Sequence, residues 1–157
     1  MKRDDQRWMR EALLEARRCL RGGDAAGDDV PVGAVVVLQN QIIGRGHNQV
    51  VLHGDPTLHA EVVAIRDALR TRETPRLEGA TLYVSLEPCP MCAGALWLAR
   101  LERLVFGAFD AKAGACGSVF DIARDVRLNH QLQVRGGVME SECAALLRDF
   151  FAARRDR

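Results

Sequence analysis

Four residues of the sequence could together hold and use a metal ion. They occur in two short segments, His59-Ala60-Glu61 and Pro88-Cys89-Pro90-Met91-Cys92. A catalytic zinc ion takes three protein ligands and keeps one position open for water, and one imidazole nitrogen with two thiolate sulfurs supplies such a set. The sequence therefore predicts a site for one Zn²⁺ per chain, with His59, Cys89 and Cys92 as the ligands.

Glu61 is not needed as a ligand, and its place two residues after His59 predicts that it points into the same cleft. A carboxylate there can take a proton from water at the open position and pass it to a leaving group. Zinc lowers the pKa of such a water to about 7, so hydroxide is available at neutral pH. The residues together predict hydrolytic removal of an amino group from an sp² ring carbon, with Glu61 as the catalytic residue.

The Cys-x-x-Cys pair also has simpler interpretations, because such a pair alone is more often structural or redox-active. A structural zinc site takes a fourth protein ligand, and the sequence has no second Cys-x-x-Cys or His-x-x-x-His to provide it. A thioredoxin-like redox pair has no need of the upstream His-x-Glu. The other three cysteines are isolated and are predicted to be ordinary buried or loop thiols, namely Cys19, Cys116 and Cys143.

The two metal-binding segments lie far apart in the sequence, so the fold must bring them together. A switch to helical spacing at His59 predicts a helix that begins there and ends before Pro75. Cys89 and Cys92 lie three apart at the start of a predicted helix over 88–100, so their side chains share one face. The unpaired N–H groups and positive dipole of a first helical turn stabilise thiolates, the form of cysteine that binds metal.

The rest of the sequence alternates between helical and strand-like patterns. Apolar spacing predicts an amphipathic helix over 4–21, stopped by Gly22-Gly23-Asp24, and a closing helix over 140–155. Predicted strands cover 32–38, 41–47, 81–86, 104–106 and 132–135, with a turn at Gln39-Asn40 between the first two and a loop over 48–57 after the second. This order predicts a single three-layer α/β domain over residues 1–157.

Composition and charge narrow the class of protein. A hydrophobic fraction of 48% and a charged fraction of 27% are typical of a globular protein. A net charge of +1 excludes a globally basic protein that coats nucleic acid, but it allows a local basic patch. Neither a secretory signal nor a membrane-spanning apolar run is recognisable. The number of cysteines is odd, at five, which argues against a disulfide framework. The sequence therefore predicts a cytoplasmic protein without membrane association.

The two metal-binding segments resemble the signature of the cytidine deaminase-like superfamily, whose members deaminate nucleobases. Beyond them, roughly residues 6–155 resemble the bacterial tRNA-specific adenosine deaminases. Besides the zinc segments, the matching stretches include Pro31-Val32-Gly33-Ala34-Val35, Gly46-His47-Asn48, Asp110-Ala111-Lys112, Asn129-His130 and Asp149-Phe150-Phe151. The zinc signature is common to the superfamily, whereas Asn129-His130 and Phe150-Phe151 point to the tRNA branch.

This resemblance implies a fold, a reaction and further site residues. The fold would be a five-stranded mixed sheet with helices on both faces, and the protein would act as a homodimer on the wobble adenosine of a tRNA anticodon, giving inosine. Asn48 would hydrogen-bond the flipped base, and the channel for the anticodon loop would be lined by Asp110, Asn129 and Phe150. Phe109 and Cys116 are atypical, since the family commonly has an arginine and a small residue there.

Each of these positions also has a structural interpretation. Asn48 and Asn129 are typical turn and loop residues, Asp110 is a typical solvated acid, and one of the pair Phe150-Phe151 is expected to face the core. Four late arginines either form a solvated helix face or contact phosphates, namely Arg148, Arg154, Arg155 and Arg157.

Two other functions stay open on the sequence. A deaminase of a free nucleobase or nucleotide, of the guanine or cytosine type, can share both zinc segments. A non-catalytic RNA-binding protein could retain zinc for stability alone. Glu61 argues against the second, because a purely structural zinc site does not use a proton-transfer group.

Overall fold

A computed structural model describes residues 4–20 and 29–155, and its centre is a five-stranded sheet in the order β2-β1-β3-β4-β5. β1 pairs antiparallel with β2 and β3, whereas β3, β4 and β5 run parallel to one another. The predicted five-stranded mixed sheet is thus confirmed. The strands are β1 (Gly33–Leu38), β2 (Gln41–His47), β3 (Thr81–Leu86), β4 (Arg103–Ala108) and β5 (Gln133–Arg135).

Five α-helices of the described residues connect and cover the strands. They are α1 (Asp5–Arg17), which continues as a 3₁₀ turn (Arg18–Leu20), α2 (Val50–His53), α3 (Ala60–Leu69), α4 (Pro90–Leu98) and α5 (Glu140–Arg155). The short helix α2 lies where a loop was predicted, and the predicted stop of the first helix at 22–24 lies outside the described residues. No helix of the described ranges is long and apolar enough to cross a membrane.

The helices lie on both faces of the sheet because strand side chains alternate between the faces. Ala34 and Val36 of β1 belong to the apolar cluster that includes α3 and α4. Val35 and Val37 belong to the opposite cluster, with apolar residues of α1 and Cys143 of α5. This arrangement confirms the predicted three-layer architecture.

Glycines on β2 allow α3 to lie directly on the strand. A Cβ on Gly46 would lie 2.5 Å from the backbone nitrogen of Ala64 and 2.6 Å from the carbonyl oxygen of Ala60. Real Cβ atoms do not approach backbone atoms so closely, so only glycine fits. The close packing fixes the helix whose first residue directly follows the predicted ligand His59.

The hairpin between β1 and β2 has the predicted two-residue turn. Gln39 and Asn40 both adopt positive φ, at 50° and 60°. Positive φ at both positions is the type I′ geometry, whose twist matches that of the flanking strands.

Candidate active site

Two helix N-termini bring the predicted metal ligands together. His59 is the N-cap residue of α3, and Cys89 is the N-cap residue of α4, which follows the carboxyl end of β3. Pro90 occupies the first turn of α4, where its missing N–H leaves no helical hydrogen bond unmade. Cys92 lies in the same turn, three residues after Cys89, so both sulfurs face His59.

The three ligand atoms have the spacing that zinc requires. The Nδ1 atom of His59 lies 3.5 Å from the Sγ atoms of both Cys89 and Cys92, and all three atoms lie within 4.8 Å of one another. Tetrahedral coordination, with Zn–S of about 2.3 Å and Zn–N of about 2.0 Å, places sulfur and nitrogen about 3.5 Å apart. Within the described ranges this is the one cluster of its kind, and its donors fit Zn²⁺.

The ionisation of the two cysteines suits metal binding. A hydrogen bond from Cys92, aided by His59, lowers the pKa of Cys89 to about 4, so this sulfur is a thiolate at neutral pH. The same hydrogen bond, together with burial, raises the pKa of Cys92. Two adjacent thiolates repel each other unless a cation lies between them, so binding of zinc releases the proton of Cys92.

Glu61 lies beside these ligands in the first turn of α3. Its residue surface is only 4% exposed, and it lines one cavity of about 240 Å³ with His59 and Cys89. Burial raises the pKa of Glu61 to about 7, because desolvation disfavours the carboxylate. A cation beside it would favour the carboxylate and lower that pKa.

Two of the four predicted substrate-binding residues, Asn48 and Asp110, line the same cavity, whereas Asn129 and Phe150 are not among its lining residues. The complete lining consists of Val30, Val32, Asn48, His59, Glu61, Leu86, Glu87, Cys89, Asp110 and Ala113. A larger groove, of about 530 Å³, is lined by residues in and around α2 and α3. None of its lining residues is a predicted site residue.

Asn48 has a structural task that the sequence did not reveal. Its Oδ1 atom accepts a hydrogen bond of 2.8 Å from the backbone N–H of Ala60, and its Nδ2 atom donates one of 3.0 Å to the carbonyl of Val30. The side chain thereby satisfies the first N–H group of α3, which needs a partner from outside the helix. Asn48 thus helps to place both His59 and Glu61.

The other two predicted substrate residues have polar or aromatic partners elsewhere on the surface. The indole Nε1 of Trp97 donates to Oδ1 of Asn129 over 3.1 Å. The guanidinium of Arg154 lies 4.4 Å from the ring centre of Phe150. Phe150 is only partly buried and Phe151 is 45% exposed, so the expectation that one of them faces the core is wrong.

Sequence reasoning missed Glu87, a buried acid in the wall of the cavity. The available signal was its position at the end of a buried strand, directly before Pro88-Cys89. The atypical Phe109 is 53% exposed and packs edge-on against Phe106, with ring centres 5.1 Å apart. The three isolated cysteines are buried free thiols, as predicted, namely Cys19, Cys116 and Cys143.

Loss of one ligand should empty the metal site without unfolding the protein. We expect wild-type protein to contain one zinc per chain, and Cys89→Ala to contain almost none, because two ligands hold zinc far more weakly than three. Cys143→Ala is the control. It removes a sulfur of α5 that is outside the metal cluster and should retain the metal. Elemental analysis of the purified proteins, with circular dichroism to confirm folding, measures both; full zinc occupancy in Cys89→Ala would contradict the assignment of this ligand.

Comparison with known proteins agrees with this geometry. Residues 2–108 match the family model of the cytidine and deoxycytidylate deaminase zinc-binding region. The chain is 46% identical over 147 residues to the tRNA-specific adenosine deaminase of Bacillus subtilis (strain 168), covering 94% of this chain and 88% of that protein.

Solved structures give the same result. One, from studies of A-to-I editing by tRNA:A34 deaminases, has a TM-score of 0.82 and 42% identity, covering 90% of this chain and 99% of that chain. A guanine deaminase from Nitrosomonas europaea is less similar, with a TM-score of 0.72 and 26% identity, covering 94% of this chain and 84% of that chain. The chain therefore belongs to the cytidine and deoxycytidylate deaminase zinc-binding family and, within it, to the tRNA-specific adenosine deaminases.

Proposed function

We propose that the protein catalyses the zinc-dependent hydrolytic deamination of adenosine to inosine at the wobble position of a tRNA anticodon. The observation that carries the proposal is the convergence of His59, Cys89 and Cys92 with the buried Glu61 on one small cavity. The similarity to tRNA-specific adenosine deaminases and to a tRNA:A34 deaminase supports the choice of substrate.

The reaction replaces the C6–N bond of adenine by a C6–O bond, consuming one water and releasing ammonia. When bound, Zn²⁺ supplies a hydroxide nucleophile at neutral pH by lowering the pKa of water to about 7. The Glu61 carboxylate accepts the proton of the attacking water and then donates it to the leaving amine, acting first as general base and then as general acid. Its burial limits the access of bulk water to the carboxylate while it carries this proton.

Asn48 is proposed to hydrogen-bond the base within the cavity, and Asp110 to contact the anticodon loop at its entrance. An asparagine amide has two N–H donors and two acceptor lone pairs. The contacts to Val30 and Ala60 use one of each, so Asn48 can hold α3 and still present a donor and an acceptor to a base.

The size of the cavity favours a single extruded base. Its volume of about 240 Å³ is below the range of roughly 300–1,000 Å³ that is typical of pockets for drug-sized ligands. A base in a single-stranded loop is already unpaired, so extruding it costs less free energy than opening a duplex. An anticodon loop, which can extrude one unpaired base into this cavity, is therefore a better substrate than a duplex.

Outside the cavity, Asn129 and Phe150 are proposed to contact nucleotides that flank the deaminated one. The exposed Arg148, and Arg154 on the ring of Phe150, are proposed to contact phosphates; Arg157 lies outside the described residues. An aromatic ring beside a guanidinium is a common stacking platform for unpaired bases.

Phe150→Ala should therefore weaken binding of an anticodon stem-loop about tenfold, because stacking contributes roughly 1–3 kcal/mol per base. The zinc content should not change, since the ring is not among the residues that line the catalytic cavity. Fluorescence anisotropy with a labelled stem-loop measures the dissociation constant. Phe151→Ala, in the neighbouring exposed ring, is the control; equal losses in both variants would indicate a general effect on α5.

Three further properties are proposed with this function. The first is that the protein works in the cytoplasm, where tRNA is modified. The second is that residues 1–157 form one domain, and the third is that two copies form a homodimer. Exposed Met91 and Leu98 lie seven residues apart on one face of α4 and offer an apolar surface to a second copy. Light scattering coupled to size exclusion tests the dimer, and a monomer mass at micromolar concentration would exclude it.

The direct test of the function uses an anticodon stem-loop with adenosine at the wobble position. We expect zinc-loaded protein to convert that adenosine to inosine and to release no ammonia from free guanine, cytosine or their nucleotides. Nucleoside analysis of the digested RNA detects inosine. Zinc-loaded protein that produces none would overturn the proposal, and ammonia release from a free base would favour the alternative deaminase.

A further inference from the structure

Glu87 is a buried acid in the wall of the catalytic cavity for which the reaction has no evident use. It directly follows β3 and is only 2% exposed. Its backbone N–H donates to the carbonyl of Ala108 at the end of β4, over 2.9 Å. Its backbone is therefore fixed at the carboxyl ends of two parallel strands, and the residue is outside the cluster of metal-binding atoms.

The carboxylate of Glu87 accepts hydrogen bonds from both ends of the segment 110–118. Oε1 accepts from the backbone N–H of Asp110 over 3.1 Å and from the hydroxyl of Ser118. Oε2 accepts from the backbone N–H groups of Cys116, over 3.1 Å, and Ser118, over 3.0 Å. One side chain thus closes the segment into a loop.

The middle of this loop lies directly on the same carboxylate. A Cβ on Gly114 would lie 2.5 Å from Oε2 of Glu87 and 2.5 Å from the carbonyl oxygen of Asp110. The N–H of Gly114 donates to that carbonyl over 2.9 Å. Only a glycine lets the loop fold down onto the carboxylate so closely.

The loop carries two residues of the cavity wall, Asp110 and Ala113. Oδ1 of Asp110 accepts from the backbone N–H groups of Lys112 and Ala113, so its side chain is fixed relative to the loop. The position of the loop relative to the cavity, in turn, depends on Glu87. A shift of the loop would therefore move Asp110 away from its proposed contact with the RNA and weaken substrate binding.

We infer that Glu87 is a positioning residue that acts on substrate binding through Asp110. This inference rests on the proposed function, because it assigns Asp110 to the RNA substrate. A glutamine at position 87 keeps the volume but presents an amide NH₂ to backbone N–H donors, so the hydrogen bonds at one oxygen are lost. The loop would then lie differently while the metal ligands stay in place.

A double-mutant cycle tests the inference on zinc-loaded protein with the anticodon stem-loop. We expect Glu87→Gln to retain one zinc and to raise KM about tenfold, as the loss of a charge-assisted hydrogen bond typically does, with a smaller change in kcat. Asp110→Ala should raise KM as well. In the Asp110→Ala background, Glu87→Gln should raise KM by less than a further factor of about two, because the effects of coupled residues are not additive.

Three outcomes would overturn the inference. They are loss of zinc in Glu87→Gln, a fall in kcat at unchanged KM, and penalties that multiply in the double variant. Should Glu87→Gln fail to fold, Ser118→Ala removes a single donor to the same carboxylate and enters the same cycle. Asp67→Asn is the matched control, because its carboxylate accepts from the backbone N–H of Arg45 outside the cavity; its KM should equal that of wild type.

Hydrogen exchange separates this inference from the proposed function. Glu87→Gln should increase the exchange rates of the amides of Asp110, Cys116 and Ser118 about tenfold or more, whatever the substrate of the enzyme is. Unchanged protection would reject the anchoring role even if the wild type edits tRNA. A wild type that makes no inosine would count against the proposed function, while the exchange result would still decide whether Glu87 holds the loop.

Discussion

Replacing Glu61 by glutamine should lower kcat by about 10²- to 10⁴-fold, the usual contribution of general acid–base catalysis. Glutamine has nearly the same volume as glutamate but cannot accept and return a proton at neutral pH. Both proton transfers of the proposed reaction pass through this carboxylate, so both are affected. Single-turnover formation of inosine in the stem-loop measures the loss without a contribution from product release.

The interpretation of Glu61→Gln depends on an intact metal site. We expect the variant to contain one zinc and to melt within a few degrees of wild type, because it leaves the three ligands unchanged. Glu78→Gln, at an exposed residue with a surface ion pair to Arg76, is the control and should keep full activity. Unchanged turnover in zinc-loaded Glu61→Gln would refute the proton-transfer role.

The ligand set was predictable because each half of it is local. Cys89 and Cys92 lie three residues apart, so they can meet within one helical turn whatever the rest of the fold does. His59 caps α3 and Glu61 lies in the first turn of that helix, so both belong to the same helix end. The convergence of the halves follows from α3 and α4, which both begin at the cavity. The loop closed by Glu87 could not be predicted, because its donors come from residues more than twenty positions away.

Helix α2 was missed for a related reason. It has only four residues, too few for apolar periodicity to be recognised. Its first turn is capped from a distance, because the carboxylate of the buried Asp29 accepts from the N–H groups of Val51 and Leu52 over 2.9 and 3.1 Å. A stabilising contact between residues so far apart leaves no signal in the local sequence.

The extent of β4 was also underestimated. Residues 104–106 were predicted, but the strand covers Arg103–Ala108 because each end pairs with β3, Arg103 with Thr81 and Ala108 with Leu86. Gly107 has low strand propensity. It is required nonetheless, since a Cβ there would lie 2.3 Å from the sulfur of Cys143 on α5. Tertiary packing therefore overrides local propensity at this position.

Asp5 shows most clearly what the sequence could not reveal. It lies near the start of an amphipathic helix, where nothing in the local sequence marks an acid as buried, yet the residue is only 2% exposed. The two guanidinium nitrogens of Arg103 donate to its two oxygens over 2.7 Å each. Tyr83 and Arg135 donate to the same carboxylate over 2.9 and 2.7 Å. Asp5 thus joins α1 to three strands.

Asp5→Ala should lower the free energy of unfolding by about 3–5 kcal/mol, because it leaves the buried guanidinium of Arg103 without its counter-charge. Urea denaturation at pH 7 measures the change. Asp121→Ala removes an exposed carboxylate paired with Arg124 and should cost less than about 1 kcal/mol. A loss in Asp5→Ala no larger than in this control would show that the buried network contributes little.

The pH dependence of stability offers an independent measure of the same network. Burial alone would raise the pKa of Asp5, but the hydrogen bonds from Arg103, Tyr83 and Arg135 outweigh it and lower the pKa from 3.8 to about 2. The folded state therefore binds this proton more weakly than the unfolded state, so the contribution is complete above about pH 5 and is lost as the pH falls through the two pKa values, 3.8 and about 2. The shift corresponds to roughly 2 kcal/mol. The stability advantage of wild type over Asp5→Asn should accordingly narrow between pH 5 and pH 2, and a constant difference across that range would mean that the carboxylate gains nothing from its partners on folding.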